Sequence, residues 1–151
     1  YHWDGHRVCN FSCSPERTRE LKGICPVCKK PLIIGVDYRV EEIAKEKHGF
    51  KAKNAKPFYS ILPLHELISL RFSTSLSSKK SWEAYNSLIE SFGNEFKILL
   101  NISEKEMLSK GFDEKLTDLI IKNREGKIKV KPGFDGEYGV AFLGEQQAKL
   151  V

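Results

Sequence analysis

The sequence predicts an α+β protein, in which a small four-cysteine zinc-binding module precedes a mainly helical domain that ends in a short β-hairpin. Three observations predict this class. The four cysteines all lie near the start, apolar residues recur at three- and four-residue spacing later on, and two strand-like segments flank a glycine-rich turn near the end. We expect a zinc-binding module over residues 1–50, a linker over 51–57 and a helical C-terminal domain over 58–151.

Composition and charge limit the possible classes of protein. The 151 residues are 40% hydrophobic and 30% charged, which is typical of a soluble globular chain, and no apolar run is long enough for a membrane helix. We expect a cytoplasmic protein with no membrane partner. Because the sequence begins with Tyr1 instead of methionine, we also expect it to be a piece of a longer protein.

The net charge of +5 is unevenly distributed. Residues 1–57 hold twelve lysines and arginines against seven acidic residues, whereas residues 58–151 hold thirteen of each. A local basic excess attracts polyanions, and nucleic acid is the commonest of them. On charge alone, an ordinary solvated surface explains the excess as well.

The cysteine spacing predicts a structural zinc site. Cys9 and Cys13 form a C-x3-C pair, and Cys25 and Cys28 form a C-x2-C pair after eleven intervening residues. Each pair can supply two sulfurs from one tight turn, and the loop between them lets the turns face each other. Disulfides are disfavoured because the lysine-rich chain has no signal-like segment. A catalytic zinc is disfavoured because four thiolates leave no open position.

Two kinds of neighbour complicate the zinc prediction. His2 and His6 lie close enough in sequence to replace one cysteine, although four cysteines already suffice. Lys29 follows the second pair, at a position where zinc knuckles commonly carry glycine because φ is often positive there. This departure concerns the expected geometry of the turn and not the choice of ligands.

Local signals predict the elements of the first part. Asp4-Gly5 favours a two-residue hairpin turn. Ser14, followed by proline and glutamate, predicts a helix of about two turns that ends at Gly23. A buried strand is expected over residues 31–36, and a helix over 39–48 that places His48 at its C-terminus.

The second part is predicted to be mostly helical. A helix is expected behind Pro63, an amphipathic helix over residues 79–92, a helix that starts with a capping box at Ser103, and another that ends at Gly126. The last two helices fit a nucleic-acid-binding helical hairpin or a plain bundle, and we favour the bundle. Two strands are expected over residues 127–131 and 140–143, joined by a turn over residues 132–139.

The candidate nucleic-acid contacts are the basic residues around the cysteines. Tyr1 and Trp3 are candidates for stacking on an exposed base, or they cover the core of the module. The segment 51–57 is a flexible linker or a loop that contacts phosphate. No catalytic constellation or glycine-rich phosphate loop is present in the sequence, so we predict no catalytic residue. The predicted cationic contacts are Arg7, Arg17, Arg19, Lys22, Lys29, Lys30 and Arg39.

Five strings in order carry a resemblance that spans nearly the whole chain. They are HWDGHRVCNFSCSPE, GICPVCKKPLIIGVDYRVEEIA, FYSILPLHELI, SFGNEFKILL and IKVKPGFDGEYG. Together they resemble the region downstream of the PHP phosphoesterase domain in the endonuclease Q family of archaea and some bacteria. Members of that family are DNA repair endonucleases that nick beside deaminated bases such as uracil and hypoxanthine.

The resemblance implies an architecture and a set of partners. An N-terminal PHP domain of the same parent chain is expected to hold the catalytic metals, followed by the zinc-binding domain and a helical C-terminal domain. Cys9, Cys13, Cys25 and Cys28 carry over as the ligands of one zinc ion, and duplex DNA with a damaged base is the expected partner. The PHP domain is absent from these 151 residues, so we expect the chain alone not to be catalytic.

Two other functions remain open at this point. One is a noncatalytic zinc-ribbon adaptor that binds RNA or a protein partner. The other is a stand-alone hydrolase whose site the sequence does not reveal.

Overall fold

The computed structural model describes residues 1–46 and 49–142, which form two compact units. The first unit comprises Tyr1–Ala55 and the segment that begins at Lys129, and the second comprises Lys56–Ile128. Helices and short antiparallel strand pairs are both present, so the α+β class is confirmed. The expected linker, 51–57, contains no helix or strand.

The first unit begins with a small antiparallel hairpin. Strand β1, Asp4–His6, pairs with strand β2, Phe11–Cys13, and a 3-10 turn over Arg7–Cys9 joins them. Asn10 completes the connection in the left-handed region, at φ 47°. The hairpin therefore turns at residues 7–10, and the turn expected at Asp4-Gly5 is wrong.

Close packing explains why Asp4-Gly5 lies in a strand. Any side chain at Gly5 would collide with the ring of Phe134, so the glycine is needed for close approach and not for a turn. The Asp4 carboxylate is buried and accepts a hydrogen bond from the backbone N–H of Gly35 at 2.6 Å. These contacts fix β1 against the rest of the unit.

Two short helices follow the hairpin. Helix α1, Pro15–Glu20, starts at the predicted Ser14 cap, whose hydroxyl accepts from a backbone N–H. Helix α2, Val36–Ile43, starts earlier than the expected helix over 39–48, and His48 lies outside the described residues. The expected strand over 31–36 is wrong: only isolated bridges form there, and its apolar side chains are partly exposed, except that of buried Leu32.

Five helices form the second unit around one apolar core. The predicted helix over 79–92 and the capping box at Ser103 are both confirmed. The helices are α3 (Leu64–Phe72), α4 (Lys79–Phe92), α5 (Glu95–Leu100), α6 (Glu104–Ser109) and α7 (Glu114–Arg124). Fully buried core side chains include Leu64, Leu67, Ile68, Ile98 and Met107.

The C-terminal hairpin forms as predicted but groups with the first unit. Strands β3, Lys129–Lys131, and β4, Val140–Phe142, are antiparallel; Leu143 lies outside the described residues. The backbone N–H groups of His2 and Trp3 both donate to the carbonyl of Gly133, at 3.1 and 3.0 Å. These long-range hydrogen bonds attach the hairpin to the start of the chain, which local sequence signals do not report.

No helix within residues 1–46 and 49–142 has the length and apolar character needed to cross a membrane.

An ion pair connects two helices of the second unit. The guanidinium of Arg71 donates to both carboxylate oxygens of Asp113, at 2.7 and 2.9 Å. One of these oxygens also accepts from the N–H of Leu116 and so caps α7. Arg71 is the main reason why the pKa of Asp113 lies below its ordinary value.

We predict that Asp113→Asn lowers the free energy of unfolding by about 1–2 kcal/mol near neutral pH, because asparagine keeps the cap but loses the ion pair. A carboxylate with a lowered pKa stabilises the fold above its ordinary pKa, and this stabilisation is lost as the pH falls through the folded-state value. Urea unfolding followed by helical circular dichroism should therefore show the difference shrinking in acid. Asp118→Asn removes an exposed pair with Lys122 and serves as the matched control; an equal loss there would contradict the prediction.

Candidate functional site

Four potential metal ligands converge in the first unit. One donor atom each from His6, Cys9, Cys25 and Cys28 lies within 4.8 Å of every other. The Nδ1 atom of His6 is 3.3 Å from the sulfur of Cys9 and 3.1 Å from that of Cys28. Three thiols and an imidazole that meet in this way can hold a metal ion.

The β1–β2 hairpin positions the first two ligands. His6 is the last residue of β1, and Cys9 ends the 3-10 turn that follows it. The left-handed conformation of Asn10 then returns the chain into β2. The turn therefore brings the imidazole and the first thiol to the same end of the hairpin.

A second tight turn supplies the other two ligands. The N–H of Cys25 donates to the carbonyl of Lys30 at 2.8 Å, and the N–H of Lys29 donates to the carbonyl of Cys25 at 2.9 Å. Lys29 has a φ of 63°, and zinc knuckles commonly place glycine at this position because φ is positive there. The lysine thus tolerates the turn geometry that the sequence placed in question.

The two turns shift the pKa values of their thiols in opposite directions. Burial opposes ionisation of Cys25, but hydrogen bonds from the backbone N–H groups of Cys28 and Val27 and from the ring of His6 lower its pKa to about 6. Burial and the neighbouring sulfurs raise the pKa of Cys9 to about 11. Cys25 is thus the cysteine whose surroundings are already arranged for a thiolate.

Cys13 is not a member of the four-donor group. It is buried near the other cysteines, and its sulfur lies 3.3 Å from the hydroxyl of Thr18. Cys13 pairs with Asp4 at the far end of the hairpin, whereas His6 pairs with Phe11 beside the turn. Cys13 therefore lies two residues further from the turn than Phe11, although it still packs against Cys25, and burial raises the pKa of its thiol.

The spacing of the four donors in the sequence indicates that His6 belongs with the cysteines. His6 and Cys9 are separated by two residues, as are Cys25 and Cys28. Two donor pairs with equal spacing give two similar turns, and this favours His6 over Cys13 as the partner of Cys9.

The predicted cationic contacts differ in how fully they are neutralised. Arg17 pairs with Glu20 at 2.6 Å, Arg39 pairs with Glu42 at 2.8 Å, and Arg19 pairs with Glu41. The other four are Arg7, Lys22, Lys29 and Lys30, and all are exposed. Of these, only Arg7 has a carboxylate oxygen within 4.0 Å of its side chain in the described part of the chain, that of Glu137.

The two aromatic candidates have different environments. Tyr1 is 54% exposed and packs edge to face against Tyr138, with ring centroids 6.4 Å apart. Trp3 is half-buried, and its backbone is paired with the C-terminal hairpin. The exposed tyrosine rings are therefore available for stacking, whereas Trp3 mainly covers the interior of the unit.

A cavity of about 290 Å³ lies between the β1–β2 turn and the C-terminal hairpin. Its walls include Arg7 and Asn10 from the turn and Lys131, Glu137 and Tyr138 from the hairpin. The backbone N–H of Arg7 donates to the carboxylate of Asp135 at 2.6 Å, which holds the turn against the hairpin. The cavity thus combines an aromatic ring with polar groups of both charges.

Comparison with known proteins places the whole chain within larger relatives. Residues 63–127 match the family described as the MJ0043 C-terminal domain. The chain is 33% identical over 149 residues to the uncharacterized protein MJ0043 of Methanocaldococcus jannaschii. The aligned region covers 99% of this chain and 19% of that protein.

Two solved structures share the fold. The lesion-specific endonuclease PfuEndoQ from Pyrococcus furiosus matches with a TM-score of 0.80 and 25% identity, over 100% of this chain and 37% of its own. An endonuclease Q complex with a 27-mer duplex substrate that carries an abasic lesion at the active site matches with a TM-score of 0.77 and 26% identity, over 99% of this chain and 37% of its own. The resemblance to endonuclease Q is therefore confirmed, and the chain spans about a third of that enzyme.

We predict that the ligand set can be separated by substitution. His6→Ala and Cys25→Ser should each lower the bound metal well below about one ion per chain, because each removes one of four donors. Cys13→Ala should retain the metal, because its sulfur contacts a hydroxyl and lies outside the donor group. Elemental analysis of the purified variants measures this. Loss of metal in Cys13→Ala together with full retention in His6→Ala would restore the four-cysteine set.

Proposed function

We propose that this chain is the DNA-engaging, noncatalytic part of an endonuclease that nicks DNA beside deaminated bases. The observation that carries the proposal is the match of the whole chain to endonuclease Q, including a complex with lesion-containing duplex DNA. The chemistry would belong to a PHP domain elsewhere in the same parent chain. No residue of the 151 is assigned a catalytic role.

The physical requirements of such an enzyme fit the first unit. An enzyme that acts beside a damaged base must hold the duplex by its phosphates and expose the lesion, and damaged pairs are cheaper to open. The exposed cations Arg7, Lys22, Lys29 and Lys30 supply phosphate contacts, and Tyr1 supplies a stacking surface. Arg17, Arg19 and Arg39 would contribute less because glutamates already neutralise them.

Zinc is the metal that the donor set fits best. Thiolates and imidazole are its preferred ligands, and donors of a tetrahedral zinc site lie about 3.8 Å apart at Zn–S distances near 2.3 Å. The 4.8 Å limit among the four donors leaves room for that geometry. Four protein ligands close the shell, so the ion would stabilise the fold without activating water.

The first unit needs such an ion because its apolar core is small. Leu32 is the buried aliphatic side chain of the cysteine cluster, and the partly buried side chains of Phe11 and Leu21 pack against it. Metal binding contributes directly to folding in domains of this kind. Zinc would thereby hold the β1–β2 turn and the Cys25–Cys28 turn as one rigid cationic surface.

A noncatalytic zinc-ribbon adaptor for RNA or a protein partner is the second candidate. The observation that favours it is an apolar face on α2, where Val36, Val40 and Ile43 recur at helical spacing and are 55, 53 and 60% exposed. An exposed apolar stripe of this kind suits a protein partner. In the first candidate the same face is available to the PHP domain of the parent chain.

We predict that the chain alone binds duplex DNA with one uracil or hypoxanthine but does not cleave it, whereas the full-length parent nicks it. Gel analysis of end-labelled duplexes measures cleavage, and an undamaged duplex of the same sequence is the control. A parent that carries the PHP domain and leaves these duplexes intact would contradict the proposal and favour the adaptor. Cleavage by the 151 residues alone would contradict the noncatalytic assignment.

A further inference from the structure

We infer that the segment 50–59 is a second nucleic-acid contact, in which lysines bind phosphates and aromatic rings stack on unpaired bases. The inference rests on the proposed function and deepens it. It adds residues beyond the cationic and aromatic candidates named above, and a preference for unpaired nucleotides. The segment has the sequence FKAKNAKPFY.

The charge of this segment is uncompensated. Lys51, Lys53 and Lys56 are exposed, and the sequence contains no acidic residue between Glu46 and Glu66. None of these three lysines has a carboxylate oxygen within 4.0 Å in residues 1–46 and 49–142. A cation without an internal partner has no ion pair to break when it meets a phosphate, in contrast to the arginines of α1.

The aromatic rings of the segment are largely exposed to solvent. Phe50, Phe58 and Tyr59 are 61, 82 and 64% exposed. Rings of this size are usually buried, because each can remove about 150–250 Å² from water. Their position among lysines matches the chemistry of single-stranded nucleic-acid binding, in which cations follow the backbone and rings stack on successive bases.

The backbone of the segment places its cations on both sides of a turn. Residues 50–59 form no helix or strand, and the N–H of Ala55 donates to the carbonyl of Ala52 at 3.0 Å, which closes a turn with Lys53 and Asn54 at its centre. Lys51 lies before this turn and Lys56 after it, so the lysines can address different phosphates of the same strand. Because the segment forms no amphipathic helix, it lacks the usual apolar face of membrane-surface binders.

The test compares two DNA probes and two pairs of matched variants. The probes are a duplex and the same duplex with a short bubble of unpaired thymidines, and fluorescence anisotropy over a salt series measures binding by the 151-residue chain. The charge variant is Lys51→Gln, Lys53→Gln and Lys56→Gln, and its control removes three exposed lysines of the second unit. That control is Lys79→Gln, Lys105→Gln and Lys115→Gln.

The charge variant should lower the salt slope by about two to three on both probes, since each lost phosphate contact lowers it by about 0.7–0.9. Phe58→Ala with Tyr59→Ala should weaken binding to the bubble at least about fivefold and leave duplex binding almost unchanged. Phe96→Ala, which removes a ring that is 70% exposed on α5, should change neither.

Several results would overturn the inference. Equal losses in the charge-matched control would show a general effect of net charge, and equal losses on both probes in the aromatic variant would exclude stacking. Unchanged DNA binding together with lost binding to anionic vesicles or to a protein partner would assign the segment elsewhere. In these cases DNA binding by the chain still supports the proposed function; failure of the unaltered chain to bind either probe would reject both.

Discussion

The convergence of His6, Cys9, Cys25 and Cys28 is the constraint on which the first unit depends. These residues come from two separate turns, and few apolar side chains lie around them to hold the turns together. The backbone N–H groups of Val27 and Cys28 favour the thiolate form of Cys25, which is the form that binds a metal ion. A metal ion would convert this prearranged cluster into a rigid scaffold, because binding to a site that exists only in the folded state adds to folding free energy.

The scaffold determines what the surrounding surface can do. Arg7 directly follows His6, one of the four donors, and its backbone N–H donates to the carboxylate of Asp135 in the C-terminal hairpin. A cation, an exposed tyrosine pair and a cavity therefore meet beside the turn that carries His6 and Cys9. Phosphate contacts position a nucleic acid without reading its sequence, which is consistent with the proposal that another domain supplies the chemistry.

The sequence predicts local features well and long-range ones poorly. The helix over 79–92 has a strong apolar period and a capping serine, and both its ends were predictable. The turn expected at Asp4-Gly5 was wrong because the sequence does not show why a glycine is required. Gly5 is required for close approach to the ring of Phe134 and not for a turn. Cys13 lies outside the group of four donors because the hairpin register places it two residues further along β2 than the partner of His6, and its role as a ligand stays a prediction. The grouping of the C-terminal hairpin with the first unit depends likewise on contacts across the chain length.

The central claim is that metal binding and DNA binding are properties of one scaffold, and chelation tests it most directly. In a Trp82→Phe variant, Trp3 is the single tryptophan and its fluorescence reports on the first unit. We expect a chelator to shift that fluorescence and to abolish binding of lesion-containing duplex in parallel, while the helical signal of the second unit largely persists. Full DNA affinity after the metal has been removed would contradict the account.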